Sequence, residues 1–163
     1  MAKKISKTNA ARILDKEKID YEILQYQPEE GANDGVSVAA KIGFPVEVVH
    51  KTLVAAGTSR QIYVFVIPVA EELDLKKGAQ AAGEKKIEMV AVKDILPLTG
   101  YVKGGCSPVG MKKPFPTFIS KKAEQQPEII VSAGRIGMQL KMSPADLVKV
   151  TAGELAELTV SGH

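Results

Sequence analysis

The run Ile62-Tyr63-Val64-Phe65-Val66-Ile67 constrains the fold more than any other stretch of the chain. It is β-branched and aromatic throughout, which is strand composition, and it has no alternating polar position. A strand apolar on both sides must be covered on both faces, so it is expected at the centre of a sheet. Val48 to Ala56 and the turn Gly57-Thr58-Ser59 supply its hairpin partner.

The other elements are short and of both kinds. Thr8-Asn9 can cap a helix with apolar positions Ala10, Ile13 and Leu14, and a strand is expected over Ile19 to Tyr26. Gln27 to Gly35 reads as a polar loop and Ser37 to Ile42 as a helix stopped by Gly43. Asp74 caps a helix ending at Gly83, Lys86 to Ala91 reads as a strand, and Lys93 to Leu98 as a brief helix. Thr117 to Ile119, Glu128 to Ser132 and Ile136 to Met142 read as strands, the last two joined by a turn at Ala133-Gly134-Arg135. Ser143-Pro144-Ala145-Asp146 starts a helix, and Glu157 to Val160 closes the chain as a strand. This order predicts a mixed α/β fold of the α+β kind, with a central mixed, β-barrel-like sheet and peripheral helices. At 163 residues the chain is expected to be one domain, 1–163.

Composition excludes several classes. With 45% apolar and 25% charged residues, the chain is neither disordered nor fibrous. Its longest apolar run, Ile62 to Ala70, is broken by Pro68 and falls far short of the ~20 residues a spanning helix needs. The basic start Met1 to Lys7 lacks the apolar core of a secretion signal, which points to a cytoplasmic protein. One cysteine and two histidines leave no Cys-x-x-Cys or His-Glu-x-x-His pattern, so neither metal nor cofactor is expected. A formal charge of +3 is compatible with a polyanionic partner but does not demand one.

Gly100 to Gly110 crowds four glycines and Pro108 into eleven positions. Such a loop brings bare backbone groups close to something. It is not a P-loop, because Cys106 stands where the phosphate-binding lysine would be. Nor is it a nucleophile elbow: Val109 replaces the final glycine, and Pro108 lacks the N–H that would serve an oxyanion. Cys106 with His50 is a formal nucleophile–base pair, against which stands the reading of a small packed thiol. Lys51 is the stronger lead. On a strand it shares a face with Val49, Leu53 and Ala55, which places an ammonium among apolar side chains at a pocket mouth, unless it snorkels to water.

Taken in order, His50-Lys51-Thr52-Leu53-Val54, Leu73 to Lys77, Lys85 to Met89, Thr99 to Gly110 and Val131 to Gly137 resemble the YbaK/EbsC proteins. These are free-standing relatives of the editing domain inserted in bacterial prolyl-tRNA synthetases. The resemblance spans nearly the whole chain. It implies the fold of that editing domain and a cytoplasmic Cys-tRNA(Pro)/Cys-tRNA(Cys) deacylase that removes cysteine mischarged onto proline tRNA. In that chemistry the substrate's own thiol attacks the aminoacyl ester, forming a thiolactone and freeing the tRNA. Carried over, Lys51 would hold the acylated terminal adenosine and the Gly104 carbonyl would fix the substrate amino group. Tyr26, Thr52, Gly105, Ser107 and Ser132 would be substrate-binding positions. The implied partners are the acceptor end of an aminoacylated tRNA and a transient prolyl-tRNA synthetase. Asp34 and Gln139 depart from the family pattern and leave amino-acid specificity open. Water-driven deacylation of Ala-tRNA(Pro) and a non-catalytic tRNA- or synthetase-binding module remain the alternatives.

Overall fold

A computed structural model describes residues 7–27 and 35–160. In chain order the elements are α1 (Asn9–Lys16), β1 (Glu22–Gln25), α2 (Gly35–Ile42), β2 (His50–Gly57), β3 (Ile62–Pro68), α3 (Leu75–Ala82), β4 (Ile87–Met89), α4 (Val92–Thr99), β5 (Thr117–Ser120), β6 (Ile129–Arg135), β7 (Met138–Met142), α5 (Pro144–Thr151) and β8 (Glu154–Ala156). Five strands form one sheet in the order β4-β2-β3-β5-β8, and three form another in the order β1-β7-β6. The larger sheet is mixed: β2 runs antiparallel to β3 and β4, whereas β5 is parallel to both β3 and β8.

The apolar run is β3, and it is central as its composition demands. Val66 faces a core shared by both sheets, together with Ile119, Val131 and Leu140 and the buried faces of α1 and α5. Phe65 and Ile67 face the opposite way, into a second cluster with Ala79 of α3 and Phe118. Helix signals hold locally as well. Asp74 accepts from the N–H groups of Lys76 and Lys77, and the Ser143 hydroxyl accepts from the Asp146 N–H. Each such cap is worth about 1 kcal/mol.

Three expectations are corrected. The barrel-like sheet does not close: the two sheets meet at one parallel bridge, Val49 to Ile130, and separate beyond it. The turn between the sixth and seventh strands is Ile136-Gly137, because β6 continues through Ala133-Gly134-Arg135 with a bulge between Ser132 and Arg135. The final strand is shifted upstream to Glu154–Ala156, where the chain leaving α5 at once joins the edge of β5. Thr159 makes only an isolated bridge with Leu73. The strand expected over Ile19 to Tyr26 narrows to Glu22–Gln25, since β7 is its one partner. The loop expected over Gln27 to Gly35 lies almost wholly outside the described residues.

Gly134 has φ +99, and a Cβ there would lie 2.6 Å from Cε1 of Tyr101. Left-handed backbone and overpacking each cost about 1–2 kcal/mol or more for a side chain. Gly134→Ala is therefore expected to lower unfolding stability by about 2–4 kcal/mol, read by urea denaturation. A midpoint unchanged from wild type would contradict the packing described.

Candidate active site

β2 is hydrogen-bonded along its length to β3 on one side. Alternation turns the backbone groups of residues 48, 50, 52 and 54 to the other side. There the Val48 carbonyl accepts from the Ile130 N–H at 3.0 Å, and the Val54 carbonyl accepts from the Val90 N–H at 3.0 Å. Between these contacts β4 no longer pairs and β6 has diverged, so among the described residues no strand covers the edge from His50 to Leu53. A cavity of about 510 Å³ occupies the gap, which is the size of a small-ligand site.

Four segments wall this slot. Val49 to Leu53 of β2 form its floor, and Gly35, Val38 and Val69 one side. Lys103, Gly104 and Cys106 of the glycine loop, with Ser132, Ile136 and Gln139 around the β6–β7 turn, complete it. Because the slot wraps an open edge, both faces of β2 contribute. Lys51, half-buried, makes no hydrogen bond or ion pair with the other described residues; burial lowers its pKa and the charge of Glu72 opposes that shift. It thus sits at a pocket, as its apolar neighbours on the strand required.

The other face of β2 carries His50 and Thr52. The His50 Nδ1–H donates to the Val48 carbonyl at 2.8 Å, since a carbonyl can only accept. His50 Nε2 and Thr52 Oγ1 are buried without a partner among the described residues, as is Tyr26 Oη. A buried polar atom left unpaired costs about 1–3 kcal/mol. Two such atoms two residues apart on a pocket-lining strand mark a surface shaped for a hydrogen-bonding ligand.

The glycine loop is braced from inside. The Tyr101 hydroxyl donates to the Val109 carbonyl at 2.7 Å, and the Thr99 hydroxyl, which donates to the Ile95 carbonyl at 2.7 Å, accepts from the Tyr101 N–H at 3.0 Å. Gly104, at φ +87, is exposed and lines the slot. Gly105 does not line it: a Cβ there would lie 3.0 Å from the backbone nitrogen of Ile136, so this glycine lets the loop press against the β6–β7 turn. Ser107 is fully buried, and its hydroxyl accepts from the Val109 N–H at 3.2 Å.

The structure therefore gathers Lys51, Thr52, Gly104 and Ser132 around one cavity and leaves Gly105, Ser107 and Tyr26 out of its lining. Tyr26 follows β1, where its N–H donates to the Gly137 carbonyl at 3.0 Å and its ring lies 5.8 Å from the Lys41 ammonium. Gln139 lines the slot, opposite Ser132 in the β6–β7 register. Asp34 lies outside the described residues. His50, read from sequence only as a conceivable partner for Cys106, is a lining residue in its own right; its parity with Thr52 on one strand is the signal that could have revealed it.

The sequence comparisons agree with this geometry. Residues 29–150 match the model of an aminoacyl-tRNA editing domain. A protein of Enterococcus faecalis (strain ATCC 700802 / V583), named "Putative Cys-tRNA(Pro)/Cys-tRNA(Cys) deacylase EbsC", is 45% identical over 161 residues, 98% of each chain. Among solved structures, "hypothetical protein APE2540" superposes with a TM-score of 0.86 at 21% identity, covering 94% of this chain and 100% of that one. A "putative trans-editing enzyme for prolyl tRNA synthetase" superposes with a TM-score of 0.80 at 22% identity, covering 96% and 100%. At these identities the two structures establish the shared fold.

Burial pushes the Cys106 thiol up to about 11. The thiolate population at neutral pH then falls two to three orders of magnitude below that of a free cysteine, whose pKa is about 8.5. Iodoacetamide at pH 7.5 is expected to label Cys106 at least a hundredfold more slowly in the native than in the urea-unfolded protein. Equal rates would show an activated thiol.

Proposed function

Because the chain belongs to the aminoacyl-tRNA editing domain family, we propose that it is a trans-acting deacylase that removes cysteine from mischarged Cys-tRNA(Pro). The substrate is the aminoacylated acceptor end of a tRNA. Lys51 holds the terminal adenosine through its ammonium, Gly104 and Ser132 border the aminoacyl group, and Thr52 offers a hydroxyl beneath it. Tyr26, Gly105 and Ser107 serve from outside the cavity lining, the last two by shaping the loop that carries Gly104. The unit that acts is the whole chain, 1–163.

The observation that supports thiol-assisted cleavage is the state of the protein's own nucleophiles. Cys106 is a protonated thiol at neutral pH. The Ser107 hydroxyl is turned to the Val109 N–H, and that of Ser132 to the Gly134 N–H at 3.2 Å. Among the described residues no three His, Cys, Asp or Glu side chains gather to hold a metal. What the slot does offer is a cation, a loop glycine and unpaired hydrogen-bonding atoms, the equipment for orienting a substrate that brings its own nucleophile. Fixing such an intramolecular attack can supply several kcal/mol of barrier lowering. Cyclisation of the cysteine thiol onto the ester carbonyl then expels the ribose hydroxyl and leaves a thiolactone.

The chain acts in the cytoplasm after the charged tRNA has left its synthetase. A net charge of +3 gives only a mild attraction to tRNA. A transient complex with prolyl-tRNA synthetase supplies the tRNA selectivity this field lacks.

Single-turnover deacylation of Cys-tRNA(Pro) tests the reading. Lys51→Ala is expected to reduce the rate about 10²–10³-fold, the usual loss for one electrostatic contact in a water-poor site. S-methylcysteinyl-tRNA(Pro) and Ser-tRNA(Pro) should resist cleavage by the wild type. Rapid turnover of either would replace the thiol route by water attack, and binding without any cleavage would favour a non-catalytic module.

A further inference from the structure

We propose that His50 is the general base of the reaction, taking the proton from the substrate thiol and passing it to the departing ribose oxygen. This rests on the thiol-assisted reading above and adds to it the group that moves the proton.

Three observations converge on the residue. His50 lines the slot next to Lys51 in the chain, so a substrate held by that ammonium lies within the reach of its neighbour. Its Nδ1–H is anchored on the Val48 carbonyl at 2.8 Å, which fixes the ring plane and leaves the lone pair on Nε2. That Nε2 is buried, with His50 only 3% exposed, and has no partner among the described residues. A buried acceptor in this condition is satisfied by a donor arriving with the ligand, and a thiol S–H is such a donor. A base oriented by a second acceptor is the arrangement by which imidazoles are held for proton transfer.

The surroundings keep the ring neutral. Burial lowers its pKa, and Glu71, on the turn after β3, opposes this only in part. Glu71 is itself ion-paired with Lys122. Lys51 projects from the opposite face of the strand, and Lys103 and the protonated Cys106 are the other titratable side chains of the described lining. The pH dependence follows in sign. Above its lowered pKa His50 is a competent base, and the rate falls as pH drops through that value.

The step balances. As the Sγ–H proton passes to Nε2, sulfur forms a bond to the ester carbonyl carbon. The tetrahedral adduct then collapses, the carbon–oxygen bond to the ribose breaks, and Nε2–H returns its proton to that oxygen. The products are a thiolactone, a free ribose hydroxyl and neutral His50.

Single-turnover rates for wild type and His50→Gln between pH 5 and 9 test the assignment. Glutamine keeps hydrogen-bonding capacity but does not titrate, and thiol and amine ionisation of the substrate is common to both proteins. A loss of about 10²–10⁴-fold at pH 7 is expected, with disappearance of the limb below pH 6.5 that wild type shows. Rates within threefold of wild type overturn the proposal, as does a slow variant that retains the wild-type pH profile, which would mark His50 as structural. A measurement on the unaltered protein is independent of whether the variant folds: the His50 imidazole nitrogen shifts should report a neutral Nδ1–H tautomer at pH 7, and an imidazolium or the Nε2–H tautomer overturns it. Cleavage of S-methylcysteinyl-tRNA by wild type would instead defeat the underlying thiol route, so the two failures are distinguishable.

Discussion

The carbonyl oxygen of Val48 is the atom on which this architecture turns. It accepts from the Ile130 N–H and from the His50 Nδ1–H, at 3.0 and 2.8 Å, using both of its lone pairs. The first contact joins the two sheets beside their one bridge, and the second orients the imidazole beside Lys51. Since the sheets meet there and separate beyond, the edge of β2 from His50 to Leu53 is left without a strand partner. An unpaired strand edge is ordinarily a liability at a protein surface, and here it lies on the floor of a cavity where only a ligand can reach it.

The opposite wall is held just as firmly, by Tyr101. Its hydroxyl ties the loop to the Val109 carbonyl, and its ring occupies the space that the missing Cβ of Gly134 leaves open on the bulged part of β6. Gly105 closes the same contact from the loop side by lying against the backbone of Ile136. The segments bearing Gly104 and Ser132 are therefore parts of one packed unit and do not move separately. Orientation is what a site without its own nucleophile must provide, and packed elements provide it better than free loops.

Much of this was legible in the sequence wherever the signal is local. The doubly apolar β3, the Asp74 and Ser143 caps and the lysine on an apolar strand face each follow from residue type and periodicity, and each stands where it was expected. The errors came where a distant contact decides. Ala133-Gly134-Arg135 has turn composition, but Gly134 is required by the ring of Tyr101, far away in the chain, so the strand bulges there and turns at Ile136-Gly137 instead. Glu157 to Val160 has strand composition, but the edge of β5 is met three residues earlier. Gly105 and Ser107 share a motif with Gly104, yet only Gly104 lines the slot. His50 was underweighted for the same reason, because its two unequal nitrogens become visible only once Val48 is placed beside it.

The chemistry proposed for this slot also bears on how cysteine is told apart from smaller amino acids. A pocket that distinguishes side chains by one heavy atom gains roughly 1–3 kcal/mol, or about 10–200-fold. That margin is poor protection for alanyl or seryl esters if the protein carries an activated nucleophile or water, because whatever enters is cleaved. In a site whose cysteine is a protonated thiol and whose serine hydroxyls accept from backbone N–H groups, an ester lacking a thiol can bind and leave intact. Discrimination then rests on the presence of the reacting atom in the substrate and not on the fit around it. This relaxes the demand for a tight side-chain pocket and is consistent with a slot lined by Val38, Val69 and Leu53, apolar walls that exclude water more than they read shape.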